Sequence, residues 1–250
     1  IAAPRLFEAI AAEAEKDVLQ FTAQELASLL WAFATTGVFV APKLVDALGA
    51  RLATRLHEAS PANLVDAAWA LSVCEARKDL LRPVFAEVAH RGEEELSSHD
   101  VERLALAALA ARARFPDLDV PPELSSSLTK KAPSQLQRDV AATMLRRRPG
   151  WTTTNLEPPL ELAHRDDKLA LQVDGPSHFL QDALTGDFVL SGAAHFNKRL
   201  LHTMGYHVVS VSFREWDALS TDADRAHLLD QKLAAALPPT LLSSSSSAAE

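Results

Sequence analysis

A stretch that repeats itself within the first half of the chain restricts the fold more than any other feature. Leu26 and Trp31, in the segment that opens at Phe21, return as Leu64 and Trp69, a shift of 38 positions. A fainter third copy carries Val101 and Leu106 another 37 positions on. Within each copy the apolar residues recur at helical spacing, and Thr22, Ser60 or Pro61, and Ser98 stand where a helix start takes a cap or a proline. Second helices are expected between the copies, over residues 42–57 and 80–94. Helix pairs at this period make an α-solenoid, because each pair buries its apolar face only against its neighbours. An irregular helical domain rich in Ala and Leu is the alternative. The recurrence of Trp31 and Trp69 at one repeat position favours packing between helices over stacking on a base.

The helical pattern breaks at Pro116, Pro121, Pro122 and Pro133, with Ser125, Ser126 and Ser127 between them. Helical repeats are therefore expected over residues 1–115 and a Pro/Ser-rich linker over 116–133. Then the period changes. Residues 134–148 read as one amphipathic helix, with Leu136, Val140, Met144 and Leu145 on one face. Arg146, Arg147 and Arg148 end it, where cations suit the helix dipole. Short strands are expected over 151–156 and 160–164, and residues 169–174 run apolar like a buried strand that Gly175-Pro176 stops. A loop through Gly186 and Gly192 leads to a helix over 194–204, and Gly205 suits its left-handed cap. A strand over 206–213 and a helix over 222–236 complete the order α, β, β, β, α, β, α. Residues 239–250, dominated by Ser243 to Ser247, are too polar and simple to pack and are expected to form a disordered tail.

Charge narrows the function. The net charge of −8 argues against coating nucleic acid by bulk electrostatics, which needs a basic surface to displace counterions. Any RNA contact must be local. Residues 134–150 carry four basic side chains and one acidic, net +3, whereas residues 151–250 carry seven and thirteen, net −6. The best phosphate-binding patch is thus Arg146, Arg147 and Arg148. A single cysteine, Cys74, offers neither an internal disulfide nor a zinc site, so it reads as a small core residue in a reducing compartment. Charged residues break every apolar run before membrane-spanning length. The chain opens at Ile1 rather than Met, as expected of a fragment or a processed chain. With no Gly-rich phosphate loop, Ser/His/Asp set or zinc spacing, kinase, hydrolase and zinc-enzyme readings have no support.

The most specific segment is Leu169-Ala170-Leu171-Gln172-Val173-Asp174-Gly175-Pro176-Ser177-His178-Phe179. It resembles the signature of the RAP domain, an RNA-binding domain abundant in apicomplexans, in which a strand ends in an acidic residue followed by Gly-Pro, a small hydroxyl residue, His and Phe. Further pieces follow the same pattern: the helix starting Ser134-Gln135-Leu136-Gln137, the Lys198-Arg199 helix, the strand after Gly205, and Glu215-Trp216. The resemblance covers about residues 134–236, so a RAP domain is expected over 134–238. It implies an α + α/β chain, with an N-terminal α-helical repeat array followed by a restriction-endonuclease-like α/β RAP domain. The arrangement is similar to that of the FAST kinase domain family and of octotricopeptide-type proteins. By resemblance, the protein is an organellar RNA-binding factor, mitochondrial or plastid, in RNA processing, stability or ribosomal RNA maturation. Its partners would be RNA and other organellar RNA-processing proteins, with no membrane.

Candidate site residues follow from the same segment. Gln172 and Asp174 lie two apart on one strand, so their side chains share a face, and Glu161 on the preceding strand can reach it. In a restriction-endonuclease-like fold, carboxylates at such positions hold a divalent metal that activates water. Asp174, Glu161 and Gln172 are the candidate catalytic positions, and Asp174 and Glu161 the candidate metal ligands. Here Glu161 stands where the family has aspartate, Gln172 where it has glutamate, and Asp174 takes the place of the usual nuclease lysine. A metal-dependent endoribonuclease is therefore the alternative reading, and no cofactor is expected outside it, where Mg²⁺ would be required. A protein-interaction scaffold without RNA affinity is the third. RNA-binding candidates are His178, Lys198, Arg199, Arg146, Arg147 and Arg148. The plainer readings are a turn role for Asp174, loop packing for His178, solvated helix faces for the cations, and core packing for Trp216.

Overall fold

The computed structural model describes residues 2–37, 41–92, 94–125, 132–153 and 160–236. The tail expected over 239–250, part of the expected linker (126–131) and the 154–156 end of the first expected strand lie outside these residues. The chain divides into two compact units, one of residues 1–129 with 178–196 and one of residues 130–177 with 197–250. Among the described residues no helix is long and apolar enough to cross a membrane.

The first unit begins with α1 (Pro4–Asp17), α2 (Ala23–Thr36), α3 (Pro42–Ala53), α4 (Pro61–Val73), α5 (Lys78–Arg91) and α6 (Ser98–Arg114). Sequence periodicity did not separate α1. Helix α2 packs along α4 and α4 along α6, while α3 packs along α5, so the helices stack in two rows as the repeat requires. The even-numbered helices start with the same device. The hydroxyls of Thr22, Ser60 and Ser97 each accept from the backbone amide three residues on. The third cap is Ser97 rather than Ser98, because Ser98 already lies inside the helix. Equivalent core positions Leu26 and Leu64 are both fully buried. Trp69 is 7% exposed, as expected of packing between helices, but Trp31 is 42% exposed and departs from that expectation. Leu118, Val120 and Leu124 are buried against the same core, and partly buried Cys74 packs on it.

An arginine clamp also repeats. Arg55 Nη1 donates to the carbonyl of Phe21 (2.9 Å), and Arg91 Nη1 donates to that of Ala59 (2.6 Å), in each case the residue just before a cap. Arg91 Nη2 adds a bond to the Leu56 carbonyl at 2.9 Å. These partly buried charge-assisted bonds tie the end of each pair's second helix to the entry of its first. Arg91→Ala is expected to cost about 2 kcal/mol, read as a lower urea midpoint, because it orphans two carbonyls. Arg91→Lys should recover less than half, since an ammonium lacks the fork that reaches both acceptors; full recovery would show that charge alone suffices.

Residues 178–196 contain a hairpin where a loop was expected. Strands β4 (Phe179–Gln181) and β5 (Phe188–Leu190) pair antiparallel, and Ala2 adds a bridge to Asp182. The turn is closed by Asp182, whose Oδ1 accepts from the amides of Leu184 (2.8 Å) and Thr185 (3.0 Å). Strands of three residues with exposed Phe188 and Val189 are too short to give a readable alternation.

The second unit holds α7 (Gln135–Arg147), β1 (Trp151–Thr153), β2 (Leu162–His164), β3 (Leu169–Asp174), β6 (His207–Ser212), α9 (Phe213–Asp217) and α10 (Asp222–Ala236). Helix α8 (Gly192–Thr203) runs across the division, which falls between Phe196 and Asn197. The sheet order is β1-β2-β3-β6, antiparallel up to β3 and parallel between β3 and β6. A parallel neighbour demands a crossover, and α8 lies within it. One sheet face carries Leu169, Leu171, Val173, Val209 and Val211 against Val140, Met144, Trp216, Leu229 and Leu233. The other carries Ala163 and Ala170 against Leu201 and Tyr206. With both faces covered, β3 is buried at all six positions, which is why Leu169, Ala170, Leu171 and Val173 put apolar side chains on both faces. Gly205 follows α8 at φ +86°, the left-handed conformation expected of its cap.

Candidate functional site

Side chains alternate across the sheet, so the face that carries Ala170 also carries Gln172 and Asp174. Parallel register sets Gln172 beside Ser210 and Asp174 beside Ser212. Four polar side chains therefore gather near the carboxyl ends of the two parallel strands, where open α/β sheets bind ligands. Gln172 is 6% exposed and Asp174 4%. The Gln172 Oε1 and the Ser210 Oγ are buried and make no hydrogen bond among the described residues. An amide oxygen and a hydroxyl left so cost free energy in an apolar setting unless something polar reaches them. Lys198, three residues before Leu201 on α8 and hence on the same helix face, brings its Nζ to 3.9 Å from Asp174 Oδ2. The niche is thus a carboxylate, an ammonium, an amide and a hydroxyl, able to hold both a phosphate oxygen and a donor such as a ribose hydroxyl or base edge.

Glu161 sits at the edge of this arrangement. Strand β2 starts only at Leu162, so the amide of Val173 has no strand carbonyl opposite it; Glu161 Oε2 accepts it at 2.9 Å. Its Oε1 accepts from Gln137 Nε2 at 2.7 Å. Both oxygens serve the fold. Among the described residues no group of three or more His, Cys, Asp or Glu gathers where it could hold a metal ion. One carboxylate with an uncharged amide oxygen and a nearby ammonium is a poor donor set for a hard dication, which takes several anionic oxygens.

The expected cationic residues fall in different places. Arg146, Arg147 and Arg148 close α7 opposite α10, where Arg146 Nη2 lies 3.8 Å from Asp222, and Arg147 and Arg148 lie 3.8 Å and 2.8 Å from Asp230. Three guanidinium groups face two carboxylates, and such exposed pairs are weak enough for a phosphate to displace. Arg199 is half-buried on α8. His178 ends a short turn at Pro176–His178, and its carbonyl accepts from the Ser191 amide at 2.8 Å, which fixes its backbone. Glu215 caps α9 through Ser212 and pairs with Lys232 at 2.7 Å. Burial pushes its carboxyl up, but the bonds from Lys232 and Ser212 outweigh this and hold it below the usual range. Ser210 was not singled out by sequence. Its signal was a hydroxyl between Val209 and Val211 in a strand with apolar neighbours on both sides.

Comparison with known proteins decides what carries this niche. The family described as the RAP domain matches residues 171–232. This chain carries a RAP domain. Gln172, Asp174, Lys198 and Ser210 all fall inside the match. Its extent is narrower than the resemblance over 134–236, although α7, β1 and β2 belong to the same unit as β3 and β6. A "RAP domain-containing protein, chloroplastic" from Oryza sativa subsp. japonica is 23% identical over 279 aligned residues, covering 91% of this chain. The chain spans 43% of that relative's length. RAP domains are linked to RNA binding.

Proposed function

We propose that the protein is an organellar RNA-binding factor in RNA processing, stability or ribosomal RNA maturation, whose RAP domain grips RNA at the carboxyl ends of β3 and β6. The observation that carries this reading is the pair of buried, unbonded polar atoms on Gln172 and Ser210 beside Lys198 and Asp174. A sugar-phosphate group brings both donors and acceptors and would satisfy the Gln172 and Ser210 atoms. Lys198 would contact phosphate, and Arg199, His178, Arg146, Arg147 and Arg148 are the further candidate RNA contacts. The chloroplastic name of the rice relative supports a plastid, with a mitochondrion the other organelle the resemblance allows. The helical array would position RNA or further processing proteins.

The test is a pair of gels on end-labelled single-stranded and structured RNAs, with Mg²⁺ or Mn²⁺ and with chelator. A mobility shift without shortening is expected. Lys198→Ala should weaken binding by about 1 kcal/mol and lower the salt slope by about one unit. RNA shortening that needs metal and disappears in Asp174→Ala would make the protein an endoribonuclease instead. Absence of any shift would favour the scaffold.

A further inference from the structure

The two unbonded atoms on β3 and β6 differ in what they require of a ligand. Gln172 Oε1 can only accept a hydrogen bond, whereas the Ser210 hydroxyl both donates and accepts. Both atoms are buried and make no hydrogen bond among the described residues. Register sets the two residues side by side. Neighbouring strands run about 4.8 Å apart, so the gap between the side chains suits one small polar group. Two residues further along the same face, Asp174 stands beside Ser212, and Lys198 Nζ lies 3.9 Å from Asp174 Oδ2. A phosphodiester suits that ammonium but not Gln172, because it carries a negative charge and no proton to donate.

We propose, resting on the RNA-binding reading of this niche, that Gln172 and Ser210 receive a ribose 2′-hydroxyl and thereby make the domain select RNA over DNA. A 2′-hydroxyl donates to Gln172 Oε1 while accepting from the Ser210 hydroxyl, so one group satisfies both atoms. A ribose adjoins every phosphate of the backbone, which lets Lys198 hold a phosphate as the hydroxyl enters. Neither buried atom has free surface of its own, so the entering group is small and passes in as the partly exposed Lys198 side chain leaves Asp174 for the phosphate. Base edges also carry donors, but their pattern changes with sequence, whereas the hydroxyl is the same at every nucleotide. Deoxyribose leaves both buried atoms unpaired, and a site built around a hydroxyl rejects an analogue without one for that reason.

The test titrates the full chain, by fluorescence anisotropy, into two unrelated single-stranded sequences, each made as RNA, as DNA and as 2′-O-methyl RNA. RNA is expected to bind at least about tenfold tighter than DNA. The 2′-O-methyl form should behave as DNA, since its oxygen has no proton for Gln172. Gln172→Leu and Ser210→Ala should each lower RNA affinity toward that of DNA. Lys198→Ala should weaken RNA and DNA alike and leave their ratio, because both carry the phosphate. Gln172→Leu removes an unbonded buried group, so its urea midpoint should hold or rise. A folded Gln172→Leu chain that keeps the wild-type RNA-to-DNA ratio would give Gln172 a structural role and overturn the proposal. Equal binding of RNA and DNA by the wild-type chain would overturn it while leaving the RNA-binding reading in place; binding of neither would overturn both. Selectivity seen with one sequence and not the other would assign the atoms to a base edge, which also overturns it.

Discussion

Gly192→Ala is expected to prise the start of α8 away from the end of α2 and to destabilise the first unit by about 3 kcal/mol. A β-carbon at Gly192 would lie 1.6 Å from the carbonyl oxygen of Ala34 and 2.8 Å from its carbon, separations that only backbone movement can relieve. Gly37 sits on the other side of the approach, its amide 3.2 Å from the same β-carbon, so two glycines let two main chains touch. The loss should appear as faster amide exchange in the β4–β5 hairpin and a lower urea midpoint. Gly175→Ala is the control, because a β-carbon there meets nothing within 4 Å. It should shift stability by no more than about 0.5 kcal/mol. Equal behaviour of the two variants would mean that the close approach does not exist in solution.

Trp216→Ala is the second large effect, expected to cost the RAP unit about 3 to 5 kcal/mol. The ring is 1% exposed among Val140, Met144, Leu229 and Leu233, and the Arg225 guanidinium lies 5.3 Å from its centre. Its Nε1 makes no hydrogen bond among the described residues, so Trp216→Phe removes a buried orphan donor while keeping an aromatic face. Phenylalanine should therefore restore most of the stability, followed by near-ultraviolet circular dichroism and urea unfolding. RNA affinity separates packing from base stacking. A stable Trp216→Phe protein that binds RNA normally supports the core role, whereas a folded variant that loses binding would assign the ring to RNA.

Several elements were legible because one local signal decided each. Helix α10 was expected over 222–236 and lies at Asp222–Ala236, with acidic residues in its first turn and an apolar stripe along it. Strand β3 was equally plain, since burial on both faces puts apolar residues at both parities, Leu169, Leu171 and Val173 on one and Ala170 on the other. The hairpin at residues 178–196 was not legible, because its strands are too short for alternation and its turn is held by one aspartate. Helix α1 was missed for a different reason: it has no copy of the capping segment that marked α2, α4 and α6, and Pro4 alone signals its start.

The candidate site divides in the same way. That Gln172 and Asp174 share a face follows from strand periodicity, and the Gly-Pro after Asp174 fixes where the strand stops. That Lys198 lies against Asp174 and Ser210 beside Gln172 follows only from the crossover that sets β6 parallel to β3, and that Glu161 spends both oxygens on Val173 and Gln137 only from the packing of β2 and α7 beside β3. The sequence alone determined the repeat, the element order and the acidic strand end, because caps, period and breakers act within a few residues. Tertiary structure alone decided which buried polar atoms went unbonded among the described residues. Pairing and burial depend on neighbours dozens of residues away, and no local pattern encodes them.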